Sequence, residues 1–139
     1  ERMANAFIRS FSKSFHRVIL VGADIPDLTE KIIDDAFSSL QKYPAVIGPA
    51  LDGGYYLLGF NSNTFIPDVF EDIPWGTDRV YEQTLTGFEK KRLQVHTLPI
   101  WRDIDTYKDL VHFYKINKKN RSAAKNTVSY FAHIDFDRF

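Results

Sequence analysis

The 139-residue chain contains no cysteine. Disulfides and thiolate metal sites are therefore excluded, and the expected setting is cytoplasmic. An excess of either charge is also missing, since 18 Lys and Arg balance 18 Asp and Glu. Such a surface offers no electrostatic footprint for nucleic acid or an anionic membrane, and neither is expected as a partner. Long apolar runs are absent. The run from Val18 to Val21 is far too short to cross a bilayer. No basic segment leads into an apolar one as in a signal peptide. The histidines, at 16, 96, 112 and 133, lack the spacing of a zinc-binding helix. There is no Gly-x-Ser-x-Gly element and no glycine-rich phosphate loop.

What remains is a globular composition, 44% hydrophobic and 15% aromatic, sufficient for one domain with a core. Met3, Phe7 and Phe11 recur every four residues and predict an amphipathic helix over 3–15. Residues 17–22 are almost wholly apolar, as in a strand covered on both faces. Pro26 cannot sit in a central strand, so Asp24 falls just past its C-terminal end. A helix from Thr29 turns Ile33, Ala36, Phe37 and Leu40 inward and stops at Tyr43-Pro44. Strands follow at 45–48 and 55–60, joined by the turn Asp52-Gly53-Gly54. A helix at 78–90, a strand at 93–98 and a helix at 106–115 complete the pattern. Thr106 and Asp109 have capping-box spacing. Alternating elements predict an α/β sandwich with a mostly parallel sheet, its ligands beyond the strands' carboxyl ends. Residues 118–139 form a polar, then aromatic, C-terminal tail. Its Tyr130, Phe131, Phe136 and Phe139 are expected to cover either this domain or a partner.

Four features can carry chemistry. Asp24 sits on a tight loop at the mouth of a buried strand, where a carboxylate either ligates a hard divalent cation or caps the turn. Asp103 and Asp105 flank Ile104 ahead of a helix. An extended segment is expected to aim the two differently, so that one of them shares a site with Asp24, while Asp105 or Thr106 serves as helix cap. The run Gly48-Pro49-Ala50-Leu51-Asp52-Gly53-Gly54-Tyr55-Tyr56 joins two strands, or lets a ligand approach its backbone at the glycines. Trp75, beside Gly76 and Thr77, either stacks on a sugar or faces the core.

Taken in order, four motifs resemble the radical-SAM/selenodomain-associated transferases. They are Gly22-Ala23-Asp24-Ile25-Pro26-Asp27-Leu28, the Asp52-Gly53-Gly54-Tyr55-Tyr56 run, Pro74-Trp75-Gly76-Thr77, and Asp103-Ile104-Asp105-Thr106. That family is glycosyltransferase-A-like, and similar to the phospholactate and molybdenum cofactor guanylyltransferases. The resemblance implies a three-layer α/β/α sandwich of the nucleotide-diphospho-sugar transferase type, Rossmann-like, with residues 1–117 as its C-terminal portion. Complete members have a strand and a glycine- and basic-rich nucleotide loop upstream, so the chain is expected to be incomplete at its N-terminus. A homo-oligomer is then expected to cover the exposed sheet edge.

The resemblance makes Asp24 and Asp105 catalytic metal contacts, with Asp103 an alternative ligand, for Mg²⁺ or Mn²⁺. It makes Asp52, Gly53, Gly54 and Tyr55 the loop on the acceptor or sugar side, closed by Trp75 and Thr77. The implied reaction is metal-dependent glycosyl transfer from a nucleotide-diphospho-sugar to a small-molecule acceptor. Nucleotidyl transfer from a nucleoside triphosphate, or a non-catalytic remnant serving as an interaction module, are the alternatives.

Overall fold

Short apolar strands alternate with amphipathic helices, and the strands associate into one four-stranded sheet of order β1-β3-β2-β4. The computed structural model describes residues 2–119, 124–131 and 133. In chain order the elements are α1 (Arg2–Phe11), β1 (Arg17–Val21), α2 (Glu30–Ser39), β2 (Ala45–Pro49), β3 (Tyr55–Asn61), a 3₁₀ turn (Pro67–Phe70), α3 (Val80–Lys90), β4 (Val95–Thr97), α4 (Tyr107–Asn117) and α5 (Lys125–Phe131).

The sheet is mixed, which corrects the expectation of a mostly parallel one. β3 runs antiparallel to both β1 and β2, and only β2 and β4 pair in parallel. The cause is the connection over residues 50–54. A parallel return needs a crossover of a dozen or more residues, so so short a link can only fold back as a hairpin. β1, β2 and β4 consequently point one way with β3 reversed between β1 and β2.

Helices cover both faces. Ala45, Ile47, Leu58 and Phe60 pack against Phe7 of α1 and Phe88 of α3 on one side. Val46 and Leu57 pack against Ile32 and Ala36 of α2 on the other. Phe7 is fully buried and meets the rings of Phe60 and Phe65 at centroid distances of 5.1 and 5.3 Å. Gly59 stands between its cross-strand partners Ile19 and Val46, whose side chains fill the space that a Cβ would take. A register shift at Gly48/Pro49 leaves Tyr56 unpaired on the β2 side, so Tyr56 and Leu57 reach the same core while Tyr55 and Leu58 reach the other.

α1 is shorter than expected. It ends at Phe11, and a turn through Ser14, at φ 66°, leads into β1. The tail contains a helix that periodicity did not reveal: α5 lays Val128 on Phe113 of α4. Tyr130 is 75% exposed and meets only the ring of Phe131 edge-on at 5.3 Å among the described ring contacts. Phe136 and Phe139 lie outside the described residues.

Candidate acidic site at the strand ends

The acidic segments meet where β1 ends and β3 begins. β1 delivers Gly22, whose N–H donates to the Tyr56 carbonyl at 2.9 Å. The chain then turns, and the Asp24 carboxylate folds back over Gly22, so close that a Cβ there would lie 2.7 Å from its Oδ1. The Asp24 carbonyl accepts the Ile104 N–H at 2.9 Å, fastening this loop to the Asp103–Asp105 segment.

Asp52 comes from the β2–β3 turn. The turn closes through Ala50 N–H to the Gly54 carbonyl at 3.0 Å, and the Gly54 N–H donates to Asp52 Oδ1 at 2.8 Å. Gly53 has φ +90°, and a Cβ on it would strike the Asp78 carbonyl at 2.1 Å. Only glycine lets the turn settle against the segment leading into α3, where the Tyr81 N–H donates to the Gly53 carbonyl at 2.9 Å.

Asp52, Asp103 and Asp105 each place a carboxylate oxygen within 4.8 Å of the others. Asp24 lies outside that trio but close enough to add to the repulsion felt by Asp103 and Asp105. Desolvation, followed by the neighbouring carboxylates, holds both of those acids above the ordinary carboxylate range. The ion pairs among the described residues join Lys31 to Asp35, Lys91 to Asp68 and Arg102 to Asp109, so none neutralises the trio.

Asp103 and Asp105 therefore face one site, which corrects the expectation that they diverge. Side chains alternate along extended backbone, so residues two apart share a side. Ile104 takes the other side and packs at the α4–α5 cluster. Capping falls to Thr106 alone. Its hydroxyl accepts the Asp109 N–H at 3.3 Å, while Asp109 accepts the Thr106 N–H at 3.0 Å. Asp105 is thus left out of the cap.

Beside the acids opens a cavity of about 780 Å³. Asp52, Gly54, Tyr55, Trp75, Thr77 and Asp105 line it, whereas Gly53, Asp24 and Asp103 do not. Trp75 is 48% exposed and meets Tyr55 edge-on at 6.5 Å. The Tyr55 hydroxyl donates to Met3 Sδ at 3.6 Å, and burial pushes its pKa up. The Thr77 hydroxyl donates to the Pro74 carbonyl at 2.7 Å and accepts the Arg79 N–H at 3.3 Å, so it shapes the loop. Arg2, Met3 and Asp78 also line the cavity, and the sequence reading missed them. No local signal marks Arg2 or Met3, because helix periodicity assigns Met3 simply to a core face.

The chain is a mixed α/β protein with acidic loops gathered at one end of its sheet, and comparison with known proteins gives its family. Residues 1–77 match the family described as uncharacterized protein conserved in bacteria, DUF2064, and the chain belongs to that family. It is similar to a "putative nucleotide-diphospho-sugar transferase" from Desulfovibrio desulfuricans G20, known from a crystal structure, with 40% identity and a TM-score of 0.90. The match covers 99% of this chain and 61% of that one, so the chain spans less than two thirds of its relative's length. No curated protein matches it. No helix among the described residues is long and apolar enough to cross a membrane.

Proposed function

We propose that the acidic cleft is the transfer site of a metal-dependent nucleotide-diphospho-sugar transferase, acting by glycosyl transfer to a small-molecule acceptor in the cytoplasm. The convergence of Asp52, Asp103 and Asp105 beside the 780 Å³ cavity carries this reading. The name of the Desulfovibrio relative agrees with it. Within the same proposal, the sheet with helices on both faces is the core of a three-layer glycosyltransferase-A-like sandwich. In the same proposal, the four ordered motifs support a place among the radical-SAM/selenodomain-associated members.

The residues fit Mg²⁺ or Mn²⁺. A hard cation takes oxygen donors, and this trio supplies only carboxylate oxygens, with no cationic side chain paired to them. Asp52, Asp103 and Asp105 would hold the ion, with Asp24 adding negative charge at its margin. Once bound, the ion supplies charge neutralisation for the phosphates of the leaving nucleotide. The chain's own residues do the positioning. Tyr55 and Trp75 offer ring faces and edges to a sugar, and Arg2 offers a cation to a phosphate. The Gly53 turn keeps Asp52 at its station.

The test is product analysis with the intact protein. Incubated with nucleotide-sugars and Mn²⁺, it should release nucleoside diphosphate, and a chelator should stop the release. Pyrophosphate released from a nucleoside triphosphate would instead establish nucleotidyl transfer. Turnover of neither would leave the interaction-module reading.

A further inference from the structure

Three separate chain segments supply the carboxylates, and one residue outside the cleft touches all three. Trp101 lies directly ahead of the Asp103–Asp105 segment. Its N–H donates to the Pro49 carbonyl at 3.0 Å, and its carbonyl accepts the Leu51 N–H at 3.0 Å. It is therefore stitched to the backbone that enters the Asp52 turn. Its indole Nε1–H donates to Asp27 Oδ1 at 3.0 Å, which ties it to the loop carrying Asp24. Its ring leans on Tyr56 at 6.2 Å, and the Tyr56 hydroxyl donates to the Pro99 carbonyl at 3.0 Å.

Asp27 is itself held. Its second oxygen, Oδ2, accepts the Asn117 Nδ2–H at 3.0 Å, and the same amide donates to the Phe113 carbonyl at 3.0 Å. Asn117 is 7% exposed, one of only two buried polar residues among those described. A half-buried carboxylate gripped by an indole and a buried amide is fixed in rotamer. Removing either partner strands a polar group, a defect that costs more than the bond itself contributes.

We propose that Trp101 and Asp27 form a positioning clasp that holds the Asp24, Asp52 and Asp103–Asp105 segments in mutual register. The inference rests on the acidic site proposed above, and it identifies what opposes that site's repulsion. Like charges brought together push their loops apart. Trp101 and Asp27 touch no reacting group. They act through the acids, as partners behind a ligand shell commonly do, and losing such partners typically costs about 10- to 100-fold in metal affinity.

Trp101→Phe keeps an aromatic ring, though a smaller one, and removes the indole donor. Asp27→Ala removes the acceptor, whereas Asp27→Asn retains an oxygen for Trp101. Amide hydrogen exchange on the intact protein should show Leu51 and Ile104 losing protection together in Trp101→Phe and Asp27→Ala. The β2–β3 ladder should stay protected, and Asp27→Asn, which keeps an acceptor for Trp101 but turns a donor toward the Asn117 amide, should lose less protection than Asp27→Ala. Mn²⁺ affinity should fall about tenfold or more in the first two variants. Phe88→Leu, in the opposite core, serves as a control of comparable thermal loss and should leave Mn²⁺ affinity unchanged. Protection at Leu51 and Ile104 that falls no further than in this control would overturn the clasp. If the wild type takes up no Mn²⁺, the metal reading fails, and the exchange data still decide whether the clasp exists.

Discussion

At the residue scale, the site is a problem of unneutralised charge. Asp103 and Asp105 have raised folded pKa values, first because burial desolvates them and then because neighbouring carboxylates repel them. The sign follows directly. Their contribution to stability is present below the ordinary carboxylate pKa of 3.8 and is lost as pH rises through the raised folded values. At neutral pH without a cation, the charged pair therefore works against the fold. Asp103→Asn should raise the melting temperature in chelator and abolish any rise caused by Mn²⁺, as read by scanning calorimetry. A lower melting temperature in chelator would show that Asp103 contributes bonds outweighing its repulsion. Tyr56 titrates at the other end of the scale. Burial pushes its phenol up to about 12 from 10.0, so its contribution is intact below pH 10 and lost as pH rises through about 12. Tyr56→Phe should remove that part of alkaline unfolding, while costing about 1 kcal/mol at neutral pH through the lost bond to Pro99. A pH titration of stability for both proteins checks the two effects together. Asp24, Asp103 and Asp105 were legible as acids because each follows an apolar strand or precedes a helix. Asp52 was legible as a turn residue and, through the resemblance, as part of a sugar-side loop, but not as a neighbour of Asp103 and Asp105, because the fold that carries its turn to them is set by long-range pairing.

At the element scale, the clearest local signal was also the most faithful. The Thr106–Asp109 spacing announced a capping box, and both of its reciprocal bonds form. Capping depends on residues three apart, so nothing distant can override it. Thr106→Ala should destabilise the protein by about 1 kcal/mol in denaturant titration. It should also loosen the backbone that carries Asp105. The Asp52-Gly53-Gly54 turn was legible for the same reason, but its consequence was not drawn: a turn that short forces β3 antiparallel. Gly53→Ala meets both a positive φ and the Asp78 carbonyl. It should cost on the order of 1–3 kcal/mol and weaken Mn²⁺ uptake, because Asp52 moves with the turn. Unchanged uptake in a folded Gly53→Ala protein would remove Asp52 from the donor set. α5 escaped notice since seven residues with one buried side chain, Val128, display no periodicity.

At the scale of the whole molecule, two cores clamp one sheet, and the apolar patterning of the strands foretold them. Phe60 sits at the centre of the larger core, against Phe7, Phe65 and Phe88. Phe60→Ala should cost about 3–5 kcal/mol. The order β1-β3-β2-β4 was not legible, because apolar strands state that they are buried but not which neighbour they choose. That order makes the site: it sets the end of β1 beside the start of β3, so that Asp24 approaches the Asp52 turn while β4 returns Asp103 and Asp105 past the end of β2. The account therefore stands on one property of the assembled fold, an oxygen-only cation site built from distant segments. Calorimetric titration of Mn²⁺ into the intact protein and into Asp105→Asn tests it most directly. Saturable uptake by the wild type, weakened by more than about tenfold in the variant, is the predicted result. Equal affinity in the two proteins, or no saturable uptake by the wild type, would contradict it.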